Sequence, residues 1–305
     1  PAPPRPASPR HASPRPAPPR LAPPRHAPYL DARRGAAHAG RMHVVAIQQF
    51  DGEAEPRAAR LAAATGLTLL EARSRARGPG PRVVCTFGDG GDAALAAAAL
   101  DAAGFAPLVL AGFELEDDHA RVVARTAHVE RDALAVTTRD GRALEAPLAT
   151  VELLLRGTAF RSGTETVVKK ERQLSLGKAV LTGGILLSRN VETKSTRETH
   201  DFEPFLHVYA AGLPPIALRE REIAYGAGRG GKPLEPSRAA NFTRLAGELR
   251  GGAPAATWDE RLLTRAGQTH LLGGVLDPEA FLDVALTLLA RALRSPRAGA
   301  PYRTP

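Results

Sequence analysis

The residues with the strongest claim to chemistry form the loop Gly226-Ala-Gly-Arg-Gly-Gly-Lys232. It satisfies the G-x-G-x-x-G spacing and the first seven positions of a phosphate-binding loop. Gly226, Gly228 and Gly231 would let backbone amides approach a phosphate, and Lys232 would reach its outer oxygens. Both chemistries need a helix to begin at once. Pro233 occupies the hydroxyl position that would hold magnesium, and the next helix-start signal is Pro236-Ser237. A glycine loop joining a strand to a helix is the competing reading. A second cluster, Glu198-Thr-His200-Asp201-Phe-Glu203, is the densest group of ionisable side chains. On a strand, alternation sends Glu198 and His200 to one face and Asp201 and Glu203 to the other, with His207 the further histidine nearby. The sequence therefore splits the cluster before it can become a metal site or an acid/base pair.

Three further features are weighed in the same way. Cys85 is the only cysteine, which excludes an internal disulfide and a cysteine-based zinc site. It lies in a strand expected to be buried, where a thiol is packing material. Gly88-Asp-Gly-Gly-Asp92 stands between a strand and a helix but lacks the spacing of a dinucleotide fingerprint, so it reads as a connecting turn with a helix cap. The apolar run Leu174 to Leu187 contains Lys178 and follows Lys169, Lys170 and Arg172. Apolar residues beside basic ones suit shallow insertion at an anionic membrane surface or docking of a protein partner; a buried element is the alternative. Neither G-x-S-x-G nor H-E-x-x-H occurs, and the residues imply no cofactor.

Charge is informative through its distribution. The chain has a formal net charge of +9, but residues 1–41 hold eight Arg against one Asp, which leaves 33 basic and 31 acidic residues from Met42 onward. The same 41 residues carry 12 of the 27 prolines. With few apolar groups to offset chain entropy they are expected to be disordered or polyproline II. Met42, the only methionine, directly precedes the first good strand and is read as the true start, the alternative being an Arg-rich tail that adheres weakly to anionic polymers. Nucleic-acid binding would depend wholly on those arginines. The sequence shows no signal peptide and no apolar run long enough to span a membrane, so the cytoplasm is the expected compartment.

The elements follow from periodicity and punctuation. His43 to Phe50 predicts a strand, Pro56 to Ala64 a helix broken by Gly66, and Thr68 caps a second helix to about Arg77. Arg82 to Phe87 predicts a strand, Asp92 caps Ala93 to Ala103 ahead of Gly104, and Pro107 to Leu110 closes the unit. Thr65-Gly-Leu-Thr-Leu-Leu-Glu-Ala-Arg73, Pro81-Arg-Val-Val84 and Asp92 to Gly104 together resemble the C-terminal domain of the bacterial ribosomal stalk protein over residues 43–111. The resemblance implies a small β-α-α-β-α-β sandwich. In that family basic side chains on the two consecutive helices receive translation factors; here the matching positions are Ala59, Ala62 and Leu70, and only Arg73 keeps its charge. What carries over is the fold.

Further along, Ala133 to Thr138 and Ala143 to Ala146 flank Asp140-Gly141, a strong hairpin signal. Val151 to Arg156, Thr164 to Gln173, Val191 to His200, Phe205 to Tyr209 and Ile216 to Arg219 predict more strands, and Arg238 to Arg250 an amphipathic helix. Residues 127–250 thereby resemble a pleckstrin-homology-like domain, a small barrel closed by a helix. A last helix is expected from Asp277-Pro278 to about Arg294. The chain is thus expected to be α+β: a disordered segment (1–41), a stalk-like module (42–124), a β-rich barrel-like module (125–252), a C-terminal helical extension (253–294) and a disordered tail (295–305). The expected function is a non-enzymatic interaction or regulatory protein that binds an unidentified protein partner or a membrane surface. An enzyme or nucleotide-binding protein using Gly226 to Lys232 with the His200 cluster is the alternative.

Overall fold

The computed structural model describes residues 42–48, 53–174, 188–225 and 233–294, with the backbone alone over 162–174 and 188–200. The loop Gly226–Lys232, Lys178, and the segments 1–41 and 295–305 lie outside the described residues, as do the side chains of Glu198, His200, Lys169, Lys170 and Arg172.

The chain is α+β. It opens with β1 (His43–Ile47), α1 (Ala54–Thr65), α2 (Leu69–Arg75), β2 (Arg82–Phe87), α3 (Gly90–Ala102) and β3 (Pro107–Ala111). The three strands form an antiparallel sheet in the order β2-β1-β3. Local chemistry accounts for the boundaries. Thr68 and Glu71 make a reciprocal capping box at the start of α2, with Thr68 N–H donating to Glu71 Oε2 at 2.9 Å. A cap of this kind contributes about 1 kcal/mol. α3 is capped by Asp89 rather than by Asp92, because the Asp89 carboxylate accepts from the amides of both Gly91 (2.8 Å) and Asp92 (3.2 Å). A bulge in the β1–β2 register puts Val84 and Cys85 together in the core shared with α1 to α3.

The second sheet has seven strands in the order β10-β7-β8-β9-β4-β5-β6. These are β4 (Val122–Glu130), β5 (Ala133–Thr138), β6 (Ala143–Pro147), β7 (Val151–Leu174), β8 (Ser188–Ala210), β9 (Ile216–Arg219) and β10 (Thr257–Leu262). The barrel expected over 125–252 is corrected to an open sheet. β10, from the segment assigned to a helical extension, pairs parallel with β7 and occupies one edge while β6 lies at the other. Helices cover both faces, so the sheet buries its apolar side chains without curling onto itself.

Alternation along β7 and β8 divides those side chains between two cores. Leu154, Leu206, Val208 and Ala210 pack with α4 (Arg238–Gly252) through Phe242, Leu245 and Leu249. Leu153, Leu155, Phe205 and Tyr209 face α5 (Arg265–Leu271) and α6 (Leu282–Arg294). The same core takes in Val44, Ala46, Val83 and Leu110 from the small sheet, so α6 lies in a core common to both sheets. Polar contacts fix α6 in place: Arg291 pairs with Glu114 (3.2 Å), Arg294 with Glu152 (2.9 Å), and Thr287 Oγ1 accepts the Glu116 amide (2.9 Å). α6 begins at Leu282, later than the Asp277-Pro278 signal, which opens a turn instead. No helix among the described residues is long and apolar enough to cross a membrane.

Candidate functional site

Side chains with chemical potential converge where α6 approaches β7 and β8. The face of β8 that carries Phe205 and Tyr209 also presents Glu203 and His207, and the end of β9 adds Arg219. Arg121 arrives from the loop before β4, and Asp118 precedes it by one turn of that loop. Asp283, in the first turn of α6, closes the group. They line a cavity of about 200 Å³ whose apolar wall includes Phe205, Leu282 and Leu286. Gly157 makes room for the Phe205 ring. A β-carbon there would stand 2.3 Å from Phe205 Cζ and 2.7 Å from Leu262 Cβ, so the Phe205 ring lies directly over the strand.

Charge in the cavity is arranged in pairs. Arg121 Nη1 donates to Asp283 Oδ1 at 2.7 Å and lies 3.7 Å from Asp118. Arg219 donates to Asp118 and, at 3.2 Å, to Glu222 Oε1. Burial works against ionisation of Asp118, yet the hydrogen bond from Arg219 and the nearby guanidinium charges outweigh it and hold its carboxyl below the usual range. His207 is fully buried beside the Phe205 ring, with centroids 5.0 Å apart. Burial first, and then the charges of Arg121 and Arg219, hold its pKa well below the ordinary histidine value, so the imidazole is neutral at physiological pH.

This arrangement sets a pH dependence of known sign. Below the unperturbed value of 6.5 the unfolded chain takes up a proton on His207 that the folded chain does not, so stability falls as pH falls. His207 is expected to remove at most ~2 kcal/mol of folding stability between pH 7 and pH 5. Urea titrations at the two pH values should show a smaller loss in His207→Asn than in the natural chain; identical losses would contradict the assignment. The lowered pKa of His270 acts in both proteins and drops out of the difference.

Other residues singled out in the sequence are placed elsewhere. Asp201 is engaged by Arg221 at 2.5 Å, while Glu203 lines the cavity with Arg161 at 4.0 Å. Cys85 is buried, and burial pushes its thiol up to about 12 against the opposing charge of Arg75, which leaves no thiolate at neutral pH. Arg73 pairs with Glu55 of α1 at 2.8 Å. Lys169, Lys170 and Arg172 stand on the distal part of β7, in register with Thr193, Glu192 and Asn190 of β8. Among the described residues no group of three or more His, Cys, Asp or Glu side chains could hold a metal ion.

Comparison with family models, curated proteins and solved structures finds no match. The likenesses to the stalk-protein and pleckstrin-homology-like domains therefore rest on the residues alone. Sequence reasoning did not assemble Arg121, Asp118, Arg219 and Asp283, because each reads singly as a solvated charge. One signal was present: in Phe205-Leu-His-Val-Tyr209, strand alternation places His207 on the same face as two large aromatic residues, which marks it as buried.

Proposed function

We propose that the chain is a cytoplasmic, non-enzymatic interaction protein, and that its docking element is the ribbon formed by the outer parts of β7 and β8. One observation carries this reading. β10 pairs with β7 only as far as Gly157, and β9 with β8 only over Phe205–Val208, whereas β7 and β8 continue paired with each other out to Leu174 and Ser188. At about 3.3 Å per residue the two-stranded part extends roughly 50 Å. Both of its outer edges present backbone donors and acceptors that no other described strand takes up. Such edges accept an extended segment of another protein by strand addition. Lys169, Lys170 and Arg172 lie along this ribbon, so an acidic partner segment suits it.

Ser162 and His200 are directly opposed in the register, so a two-residue Asn-Gly turn can replace residues 163–199 and close the hairpin early. The shortened chain is expected to melt within a few degrees of the full chain and to lose at least tenfold in affinity for whatever protein the full chain retains in quantitative affinity capture from its host. Equal retention by the two proteins would remove the ribbon as the docking element. Retention of anionic vesicles in place of a protein would transfer the role to a membrane surface.

A further inference from the structure

The turn that leads into β2 is held from across the molecule at two points. His270, in the last turn of α5, meets the Pro79 carbonyl through Nε2 at 3.1 Å and Arg82 Nη2 through Nδ1. Arg261, near the end of β10, donates from Nη1 to the Gly80 carbonyl at 2.6 Å. A carbonyl only accepts and a guanidinium only donates, so the imidazole must carry its proton on Nε2 and keep the Nδ1 lone pair for Arg82. The neutral ring alone satisfies both contacts. Arg82 Nη1 also donates to the Ser74 carbonyl at 2.7 Å, which fixes the guanidinium against the ring.

The surroundings penalise a charged ring. A β-carbon on Gly78 would stand 2.9 Å from His270 Cε1, so the imidazole lies against the backbone of the turn. The charges that act on it from the neighbouring elements are both positive, Arg82 of β2 and Arg261 of β10. Arg57 of α1 adds to the field at Arg82, which is itself only 2% exposed. The carboxylate of Asp259 on β10 is engaged by Arg261 at 2.7 Å. Burial, together with Arg82 and Arg261, outweighs the hydrogen bond to Pro79 and holds the His270 pKa below the ordinary histidine value.

We infer that His270 is a pH-sensitive latch: as the neutral imidazole it ties the turn 78–82 to α5, and on taking up a proton it loses the Arg82 contact, faces two guanidinium groups and releases that turn. The latch is independent of the ribbon. A released ring takes up a proton with the ordinary histidine value of 6.5, whereas the latched ring resists it, so opening grows as pH falls below 6.5. Between pH 7.5 and 5.5 the opening equilibrium rises by at most about tenfold.

Hydrogen–deuterium exchange of the full chain at pH 7.5 and 5.5, corrected for the intrinsic exchange rate, tests this against His270→Gln. The glutamine amide can donate to Pro79 and its oxygen can accept from Arg82, but it takes up no proton. Because the variant retains His207, the wider effect of acid cancels in the comparison. The two proteins should be equally protected at pH 7.5. At pH 5.5 the natural chain should be roughly three- to tenfold less protected in residues 76–84 and in α5, with α4 and the β5–β6 hairpin matched. His270→Lys, a cation at both pH values, should leave the turn open even at pH 7.5. Equal protection of the natural and glutamine proteins at pH 5.5 would overturn the inference, as would a difference spread evenly over α4 and the hairpin, or a turn in the folded lysine variant as protected as in the natural chain. Should the glutamine variant not fold, the His270 ring resonance of the natural chain decides by proton NMR: a midpoint below 6.5 is expected, and one at 6.5 or above overturns the latch.

Discussion

Replacing Gly273 with alanine is expected to destabilise the chain by about 3 kcal/mol. Gly273 follows α5 with φ at +66°, in the left-handed region that a β-carbon makes unfavourable. A β-carbon there would also stand 2.0 Å from the carbonyl oxygen of Val83 and 3.1 Å from its carbon. Val83 cannot retreat, because its backbone pairs with Ala46 and its side chain is fully buried in the core that both sheets share. The neighbouring residue supplies the control. Gly274 has the same φ of +66°, but open space surrounds the position of its β-carbon. Gly274→Ala should therefore cost only the conformational part, about 1 kcal/mol. Urea midpoints read at a common slope separate the two variants, and equal effects would show that the approach of Gly273 to β2 is not what requires glycine.

The second large effect is expected at Leu288 in α6, which is 0% exposed. Truncation to alanine removes buried methyl groups from a close-packed site and should cost about 2–5 kcal/mol. Its distribution matters as much as its size. Leu288 belongs to the core that combines Val44, Val83 and Leu110 of the small sheet with Leu153, Leu155 and Tyr209 of the large one, so both sheets should lose stability together. Two probes within the chain report on them separately. Trp258, the only tryptophan, stands on β10 of the large sheet, and Cys85, the only cysteine, is buried between β2 and the helices of the small one. Tryptophan fluorescence and thiol accessibility should shift to a common new midpoint in Leu288→Ala. Separation of the two transitions would show that α6 supports one sheet only.

What could be read in advance from the residues was local. The Thr68 cap, the left-handed Gly104 and the Asp140-Gly141 hairpin each depend on residues a few positions apart, and each forms where its spacing indicates. Competition between similar signals was harder to judge. Asp89 and Asp92 are both able to cap α3, and the earlier one wins because it reaches two amides at once. Long-range pairing was not legible. Nothing in Thr257 to Leu262 announces that it will add to β7 in parallel and keep the large sheet open. The cavity suffers from the same limitation more severely: Arg121 meets Asp283 across 162 positions of sequence, and the pair exists only because α6 folds back over β7 and β8. His207 and its burial were accessible to strand alternation; the arginines that add to burial in keeping it neutral were not.

The position of α6 in chain order has a consequence for biosynthesis. β1 to β3 leave the ribosome before either helix, yet the apolar underside formed by Val44, Ala46, Val83 and Leu110 receives its full helical cover, from α5 and then α6, only when Leu282–Arg294 has been made. Translation of the roughly 170 residues between them takes on the order of ten to thirty seconds. Throughout that interval the nascent polypeptide displays a sticky half-core, and a ribosome stalled before Leu282 holds a species that chaperones must shield.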